Sequence, residues 1–457
     1  MNGTVKNERE NKMGTLPVSR LVITMSIPAA VSMLVGALYN IVESVFVARI
    51  SEDALAAITL VFPVQMFMVS IGVGSGVGLS SLISRRLGER LKGEADRASS
   101  HGFIVALGNW VIFAVFGLFF ARPFIELFTQ NAYICDNAAL YCKMVTIGSL
   151  FSFISIACER ILQATGNMMF PMIFNISGAA LNIILSPILI LGLLGIPRLE
   201  ILGAGLAALI SQCFCMILAL VLLFRFKHPV TIRFRGFRLR PGTIKDIYSV
   251  GLPTMVSMSI NSAMITGMNA ILIGYSEAAI AVFGLYYRIN SFAFLPLFGM
   301  NQGALPVMGY NYGAKYKQRL TDTIKTTITI AVCIMIIGTA VFWIFTPQLL
   351  ALFSATPEMI DIGIPALRII SIGFIFAAYN IAVQAFFQAL NHGALSMFVS
   401  LLRQMVLALP LAWLFLRIAG IHYTWVAFPL AEIGAATLTA IFMYRIFRHE
   451  VKPMKEV

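Results

Sequence analysis

Residues 28–47 read PAAVSMLVGALYNIVESVFV, a run of twenty residues whose single charged side chain is Glu43. A helix needs about 20 mostly apolar residues to cross a bilayer. The start of this run returns 225 residues later, because residues 28–33 read PAAVSM and residues 253–258 read PTMVSM. The sequence therefore predicts a membrane-spanning helix that is present in two related copies.

The composition of the whole chain agrees with a membrane protein. Of its 457 residues 59% are hydrophobic and 12% are charged, against about 25% charged residues in soluble domains. Disordered, disulfide-stapled and ordinary cytosolic proteins are thereby excluded, and the absence of period-two alternation excludes an outer-membrane barrel. We predict an all-α protein with twelve spans, at 21–50, 54–84, 101–121, 141–164, 170–194, 203–224, 247–273, 278–308, 327–346, 365–389, 394–416 and 425–446.

The 225-residue repeat extends over most of both halves. Gly74, Gly78 and Gly88 coincide with Gly299, Gly303 and Gly313, and matches of this kind in one register indicate a duplicated six-helix unit. Because six spans return the chain to the same side, the two bundles should be related by a pseudo-two-fold axis along the membrane normal, with a substrate route between them. We expect an N-terminal tail over 1–20, an N-lobe over 21–225, a linker loop over 226–246, a C-lobe over 247–447 and a C-terminal tail over 448–457.

Basic residues are distributed unevenly between the two sides. Lys and Arg number 33 against 20 Asp and Glu. Of the 33, 25 fall in the tails, the linker and the loops on the same side, including Arg160 near the loop between spans 4 and 5. The positive-inside rule then predicts that both tails are cytoplasmic and that the protein lies in the cell membrane. The positive charge is thus assigned to orientation, and no nucleic-acid partner is expected.

Polar residues inside spans 1 and 5 are candidates for ion coupling. Glu43 lies about 10 Å from the outer end of span 1 at 1.5 Å per residue, and Asn40 lies on the same helical face. Asn182 and Ser186 follow one stripe of span 5 that begins at Asn175. The alternatives are an outward-pointing Glu43 carboxylate and, for the stripe, hydrogen bonds between helices.

Further polar residues inside the spans are candidates for a substrate cavity. Arg288, near the middle of span 8, is expected to form an ion pair with Glu432 or to contact substrate directly. Ser155, Glu159 and Gln163 coincide in the repeat with Asn380, Gln384 and Gln388, and both stripes suit either helix packing or a cavity. Two alternatives also remain for the methionines of span 7, which either pack in the hydrophobic core or form a flexible surface that binds ligands. The cavity candidates are Asn175, Arg288, Met264, Met268, Asn380, Gln384 and Glu432.

No motif of an enzyme is present. Zinc-protease, P-loop, nucleophile-elbow and kinase patterns are missing from the sequence, and the cysteines show no metal-ligand spacing. Gly72, Gly74, Gly76 and Gly78 lie within a span, where close helix packing explains them better than a nucleotide loop. We therefore expect a transporter driven by an ion gradient, with no metal site and no catalytic residue.

Four segments resemble the multidrug and toxic compound extrusion (MATE) family, within it the MepA-like bacterial branch. Residues 39–47, YNIVESVFV, are similar to its segment YN-hydrophobic-V-D-T/S-hydrophobic-F-V. Residues 163–167, QATGN, resemble its RAxGN loop, and residues 181–187, LNIILSP, resemble LNIILDP. Residues 306–314, PVMGYNYGA, are similar to the family's ending of span 8. Together these segments extend the resemblance over nearly the whole chain.

The resemblance implies antiport, in which entry of protons or sodium drives the export of organic, often cationic, compounds. Glu43 replaces the family's first-span aspartate, and Ser186 replaces its fifth-span aspartate. One carboxyl suffices for a proton cycle whereas sodium prefers several oxygen ligands, so protons are favoured and sodium stays possible through Asn182 and Ser186. The resemblance further implies a monomer in the lipid bilayer with small organic substrates, and with no cofactor besides the coupling ion, H⁺ or Na⁺.

Two other transporter classes are alternatives. A flippase for lipid-linked saccharides has a related fold, but its phosphate-bearing cargo calls for several cavity arginines, and only Arg288 and Arg403 lie within spans. A major-facilitator transporter also has twelve spans, but its motif matches only faintly at 85–92.

Overall fold

The structure, a computed structural model, describes residues 11–48, 50–193, 195, 197–234, 237–351, 353 and 355–455. Within this part of the chain, eleven helices are long and apolar enough to cross a bilayer, and a bent pair of helices supplies a twelfth span. The predicted all-α architecture with twelve spans is therefore confirmed.

The first six spans form the N-lobe. Span 3 is continuous but contains a π-helical turn at Phe116–Phe120. The six spans are Val18–Ala48, Glu52–Gly88, Lys92–Glu126, Ala132–Ala164, Met169–Leu191 and Glu200–Arg225.

The other six spans form the C-lobe. Span 10 bends by 44° at Gly373, between Pro357–Ile372 and Phe374–Ala389, and span 11 is π-helical over Leu402–Ala408. The remaining spans, in order, are Pro241–Leu272, Glu277–Gly313, Lys317–Ile344, Gly393–Ala419 and Ile421–Val451.

Several helices are longer than their apolar runs predict. Span 3 begins at Lys92 rather than at residue 101, span 4 at Ala132 rather than at 141, and span 9 at Lys317 rather than at 327. Span 7 begins at Pro241, inside the predicted linker, since proline is favoured at the first position of a helix. A hydropathy pattern detects only the part of a helix that lies in lipid. The polar turns that continue the helix beyond the membrane are not detected.

The backbone repeats its local features at the predicted spacing. Ser51 and Ser276 cap spans 2 and 8 by accepting from Ala54 N and Ala279 N. Arg90 and Lys315, just after these spans, both have positive φ, 59° and 58°. Because a positive φ is uncommon for a residue with a side chain, its recurrence 225 residues later shows that the two lobes share one local geometry.

Glycines bring the two lobes into backbone contact. On span 2, Gly72 and Gly76 face Ile156 and Arg160 of the same lobe, whereas Gly74 and Gly78 face span 7 of the other lobe. Gly299 and Gly303 on span 8 face span 1 in the same way. At all these positions a Cβ atom would overlap its neighbour, so the predicted close packing of the Gly72–Gly78 series is confirmed.

One contact between spans 2 and 8 is reciprocal. Gly88 packs against the carbonyl of Tyr310, and Gly313 packs against the carbonyl of Arg85. The 225-residue repeat relates Gly88 to Gly313 and Arg85 to Tyr310, so it converts one contact into the other, as in an isologous dimer. This contact places the pseudo-two-fold axis between spans 2 and 8.

Both ends of the described chain lie at the same end of the bundle. The Met13 carbonyl accepts from Asn311 Nδ2, and the Lys452 carbonyl accepts from Lys317 Nζ at 3.1 Å, so both end segments contact residues next to the turn between spans 8 and 9. We refer to this end as the termini end.

The lobes share hydrophobic cores at the termini end. Val77 of span 2 lies in a C-lobe cluster, and Ile247 of span 7 lies in an N-lobe cluster. Toward the opposite end, each cluster of buried residues in the described part of the chain belongs to one lobe. The lobes are thus closed against each other at the termini end, and their cores are separate toward the other end.

An N-terminal segment, residues 11–17, lies across the termini end, where the lobes are closed. Its short helix Lys12–Thr15 is capped by Asn11, and Met13 is fully buried among Leu21, Met25, Met168 and Val307. Arg319 donates to the carbonyls of Met13 and Leu16 at 3.1 and 2.7 Å. The segment therefore contacts both lobes and is an ordered part of the fold rather than a free tail.

Candidate functional site

The ion-coupling candidates lie on spans 1 and 5, which pack against each other. Asn40 is exposed and donates to the carbonyl of Gly36 at 2.8 Å. Asn182 and Ser186 are buried, and Ser186 Oγ donates to Asn182 Oδ1 at 3.1 Å. The backbone of Glu43 belongs to span 1, but its side chain lies outside the described residues.

A polar cluster in the N-lobe is centred on Glu159. Its two carboxylate oxygens accept from Gln163 Nε2 at 2.7 Å and from Asn175 Nδ2 at 3.3 Å. Gln163 Nε2 also donates to Gln302 Oε1 of span 8 at 3.3 Å. The span-4 stripe therefore forms hydrogen bonds within its own lobe and crosses to the other one near the closed end.

Arg160 belongs to the same cluster, which corrects its assignment to the cytoplasmic surface. Its side chain is 5% exposed, packs on Gly76 and donates to Gln163 Oε1 at 3.1 Å. The glycine makes room for the arginine inside the lobe, and a count of loop charges does not detect such a pocket. Gln163 thus lies between the buried guanidinium and the carboxylate of Glu159.

A second polar cluster in the C-lobe joins spans 10, 11 and 12. Arg403 Nη1 lies 3.1 Å from Glu432 Oε1, and both side chains are less than one-fifth exposed. Asn380 Nδ2 donates to Glu432 Oε2 at 2.9 Å. Within the described residues, the buried Oδ1 of Asn380 and Nε2 of Gln384 have no hydrogen-bond partner.

The expected ion pair between Arg288 and Glu432 was wrong. Glu432 binds Arg403, which lies on the π-helical turn of span 11. Arg288 is exposed, and no carboxylate of the described residues lies within 4.0 Å of it. Met264 and Met268 are 7% and 1% exposed and belong to the C-lobe core, so they pack between helices in this conformation.

Arg288 lies on an exposed stripe of span 8. Ala281, Gly284 and Ser291 are also exposed and recur at helical spacing with Arg288 on one face. Arg288 is 11 residues from Glu277, or about 16 Å along the helix. An arginine at such depth faces a water-filled space, because contact with lipid tails is costly.

A family model described as MatE matches residues 28–188 and again residues 253–414. The chain belongs to the MatE family. Each match covers one lobe, in agreement with the repeat, and the predicted resemblance is confirmed. The family's transporters are membrane proteins, and the chain is accordingly a multi-pass membrane protein.

Relatives of the MatE protein cover nearly its whole length. The multidrug export protein MepA of Staphylococcus haemolyticus is 22% identical, over 94% of each chain. An FAD transporter of Shewanella oneidensis is 26% identical, over 96% of each chain.

Solved structures of transporters have the same fold. A MOP superfamily transporter from Pyrococcus furiosus superposes with a TM-score of 0.89 at 26% identity, covering 98% of this chain and 99% of that one. An outward-facing conformation of a multidrug resistance MATE family transporter gives 0.88 at 26% identity, over the same shares of the two chains.

Sequence reasoning found most members of the MatE protein's polar clusters but missed some of their contacts. Glu159 and Gln163 stood on a recognised stripe, and Arg403 was noted as an arginine within a span. Gln302, the partner across the lobes, was not identified, although it lies one residue before Gly303 of the repeat. Contacts between spans distant in sequence depend on helix rotation, which the sequence pattern leaves open.

Proposed function

We propose that this MatE protein is an ion-coupled antiporter that exports organic, often cationic, compounds by alternating access. The observation that supports this best is the shared core at the termini end together with separate lobe cores toward the other end. A two-lobed protein in this state presents a cleft to one side of the membrane, and rocking of the lobes would present it to the other. The multidrug export function of the MepA relative supports the choice of cargo.

The proposed orientation places the termini end in the cytoplasm of the cell. The loops and tails that the sequence predicts for this side carry most of the basic residues, which supports a cytoplasmic position by the positive-inside rule. The cleft would then be open to the outside in the present conformation, ready to release substrate and to receive the coupling ion.

Glu43 is the proposed coupling carboxyl, with protons as the favoured ion. Its position in span 1 is near the outer end, and Asn40 is one helical turn away. The neutral oxygens of Asn182 and Ser186 already share a hydrogen bond and bring no charge. Since sodium sites usually combine several oxygen ligands and a carboxylate, this set suits a protonatable carboxyl better. Sodium is the second candidate.

The coupling proposal is tested by measuring substrate-driven ion flux in proteoliposomes. We expect wild-type protein to exchange a cationic dye for protons, and Glu43→Gln to reduce this exchange at least about tenfold, since an amide cannot carry the proton. Glu200→Gln, which alters an exposed carboxylate paired with Arg198, is the matched control and should retain full exchange. Dye export that is driven by a sodium gradient alone would show that sodium, not the proton, is the coupling ion. Unchanged exchange by Glu43→Gln would refute the role of Glu43.

The flippase alternative receives little support from the arginines within the spans. Arg403 is bound to Glu432, Arg160 is buried and donates to Gln163, and Arg368 is half-buried, which leaves Arg288 as the exposed one. A lipid-linked saccharide carries phosphates that would require several such groups. Transfer of a fluorescent lipid-linked saccharide across the liposome membrane, without dye export, would favour the flippase.

A further inference from the structure

Arg288 carries a positive charge that the C-lobe does not neutralise. Three arginines lie ten or more residues inside the described C-lobe spans, the exposed Arg288, the half-buried Arg368 and Arg403, and one carboxylate, Glu432, lies as deep. Glu432 is engaged by Arg403 and Asn380. A guanidinium left without a carboxylate in a membrane protein is a functional feature by default, because its placement there costs free energy.

The surroundings of Arg288 leave its guanidinium accessible. The neighbouring exposed positions on the same stripe are small, Ala281 and Gly284, or polar, Ser291. The Ser291 hydroxyl donates to the carbonyl of Tyr287, one helical turn earlier, at 2.7 Å. The Tyr287 hydroxyl accepts from Asn261 of span 7. Ser291 and Tyr287 thus have partners of their own, whereas the buried Oδ1 of Asn290 has none among the described residues. The exposed guanidinium of Arg288 has its five N–H donors available to a ligand.

We propose that Arg288 binds an anionic group of the substrate, a carboxylate or a phosphate, in the cleft. The inference rests on the proposed export function and extends its substrate class to compounds that carry such a group, including zwitterions with a separate cationic part. A guanidinium binds either anion through two parallel hydrogen bonds, which fixes the orientation of the substrate as well as its affinity. The arginines of the two polar clusters are buried or partly buried and have partners there, since Arg160 donates to Gln163 and Arg403 pairs with Glu432, so Arg288 is the more accessible guanidinium.

The test compares three dyes in proteoliposomes with an imposed ion gradient. Ethidium is a permanent cation, carboxyfluorescein bears carboxylates, and a methylumbelliferyl phosphate bears a phosphate. We expect Arg288→Gln to lower the initial export rate of at least one anionic dye about tenfold, the loss expected for a hydrogen-bonded charged contact. Ethidium export should stay within about twofold of wild type, and Arg288→Lys should restore part of the anionic rate because it keeps the charge but loses the bidentate geometry.

The outcomes separate this inference from the export proposal. Arg198→Gln, at an exposed arginine that pairs with Glu200 outside the spans, is the matched control and should behave as wild type. The anionic dye that responds identifies carboxylate or phosphate as the group that is bound. The inference would be overturned if Arg288→Gln lowered the export rates of ethidium and both anions equally, or lowered none of them. It would also be overturned if wild-type protein exported ethidium alone. Each of these outcomes leaves the export proposal intact. Wild-type protein that exports none of the three dyes would instead overturn the proposed function.

Discussion

Glu432 joins three spans of the C-lobe through its single side chain. Its carboxylate oxygens accept from Arg403 and Asn380, and its backbone carbonyl also accepts from Asn380 at 3.2 Å. The Asn380 side chain is fully buried. An ion pair that is shielded from water in this way adds little stability compared with apolar packing. Loss of one partner, however, leaves the charge of the other partner buried and unpaired.

Single neutral substitutions in this pair should therefore destabilise the protein. We expect Glu432→Gln and Arg403→Gln each to lower the free energy of unfolding by about 2–3 kcal/mol, and the double variant to lose less than the sum. Thermal unfolding in detergent micelles measures this. Glu126→Gln, at the exposed pair with Arg122, is the control and should change stability by less than about 1 kcal/mol. Additive losses in the double variant would contradict a direct pairing.

Residue types within spans were predictable, and their partners were not. Arg288 and Arg403 both lie in apolar runs, and nothing in the sequence chose between them as partner of Glu432. Arg403 lies on the π-helical turn Leu402–Ala408, where the extra residue turns the side chains away from the directions expected in an α-helix. The repeat gives no warning, because the corresponding stretch of span 5 is a regular α-helix.

At the scale of elements, the N-terminal segment is the part that departs furthest from expectation. Residues 1–20 read as a polar tail, yet residues 11–17 fold under the closed end. The local signal was present: Asn11 is a favoured capping residue, and Met13 and Leu16 are apolar. A short helix like this one is unstable alone, so its position depends on Arg319 and the buried Met13.

We expect Arg319→Ala to weaken closure at the termini end. The substitution removes two hydrogen bonds to the N-terminal segment, and about 1–2 kcal/mol of lost stabilisation corresponds to a change of about 5-fold to 30-fold in an equilibrium. The measurement is the rate at which a thiol reagent modifies Ser26→Cys, a buried position that contacts the Met300 carbonyl across the lobes, in a background without native cysteines. Lys325→Ala, an exposed cation on the same span, is the control. A modification rate equal in both variants would show that the segment does not support closure.

At the scale of the whole molecule, alternating access requires the contact at the termini end to break in each cycle. Ser81 of span 2 donates to the carbonyl of Gln388 at 2.7 Å, next to Ala389 of span 10. A disulfide between Ser81→Cys and Ala389→Cys should hold the lobes closed, stop dye export and release it again on reduction.

A cross-link within one lobe is the matched control for this experiment. Ser152 and Gln212 of spans 4 and 6 lie within hydrogen-bond distance, 2.8 Å, inside the N-lobe. Their double cysteine variant should keep export after oxidation, because each lobe moves as a body in the proposed cycle. Full export by the oxidised Ser81→Cys/Ala389→Cys protein would contradict the rocking of the lobes.

The reciprocal contact of Gly88 and Gly313 has a consequence for the origin of the chain. Gly88 contacts Tyr310 of the second lobe, and Gly313 contacts Arg85, the residue of the first lobe that corresponds to Tyr310. Two separate copies of a six-span polypeptide would therefore make the same contact. Both ends of such a polypeptide lie on one side of the membrane, and joining two copies requires only a short connection like that between Arg225 and Pro241. The transporter has the geometry of a homodimer whose subunits became fused and then diverged. The first lobe acquired a polar cluster around Glu159, and the second acquired one around Arg403 and Glu432.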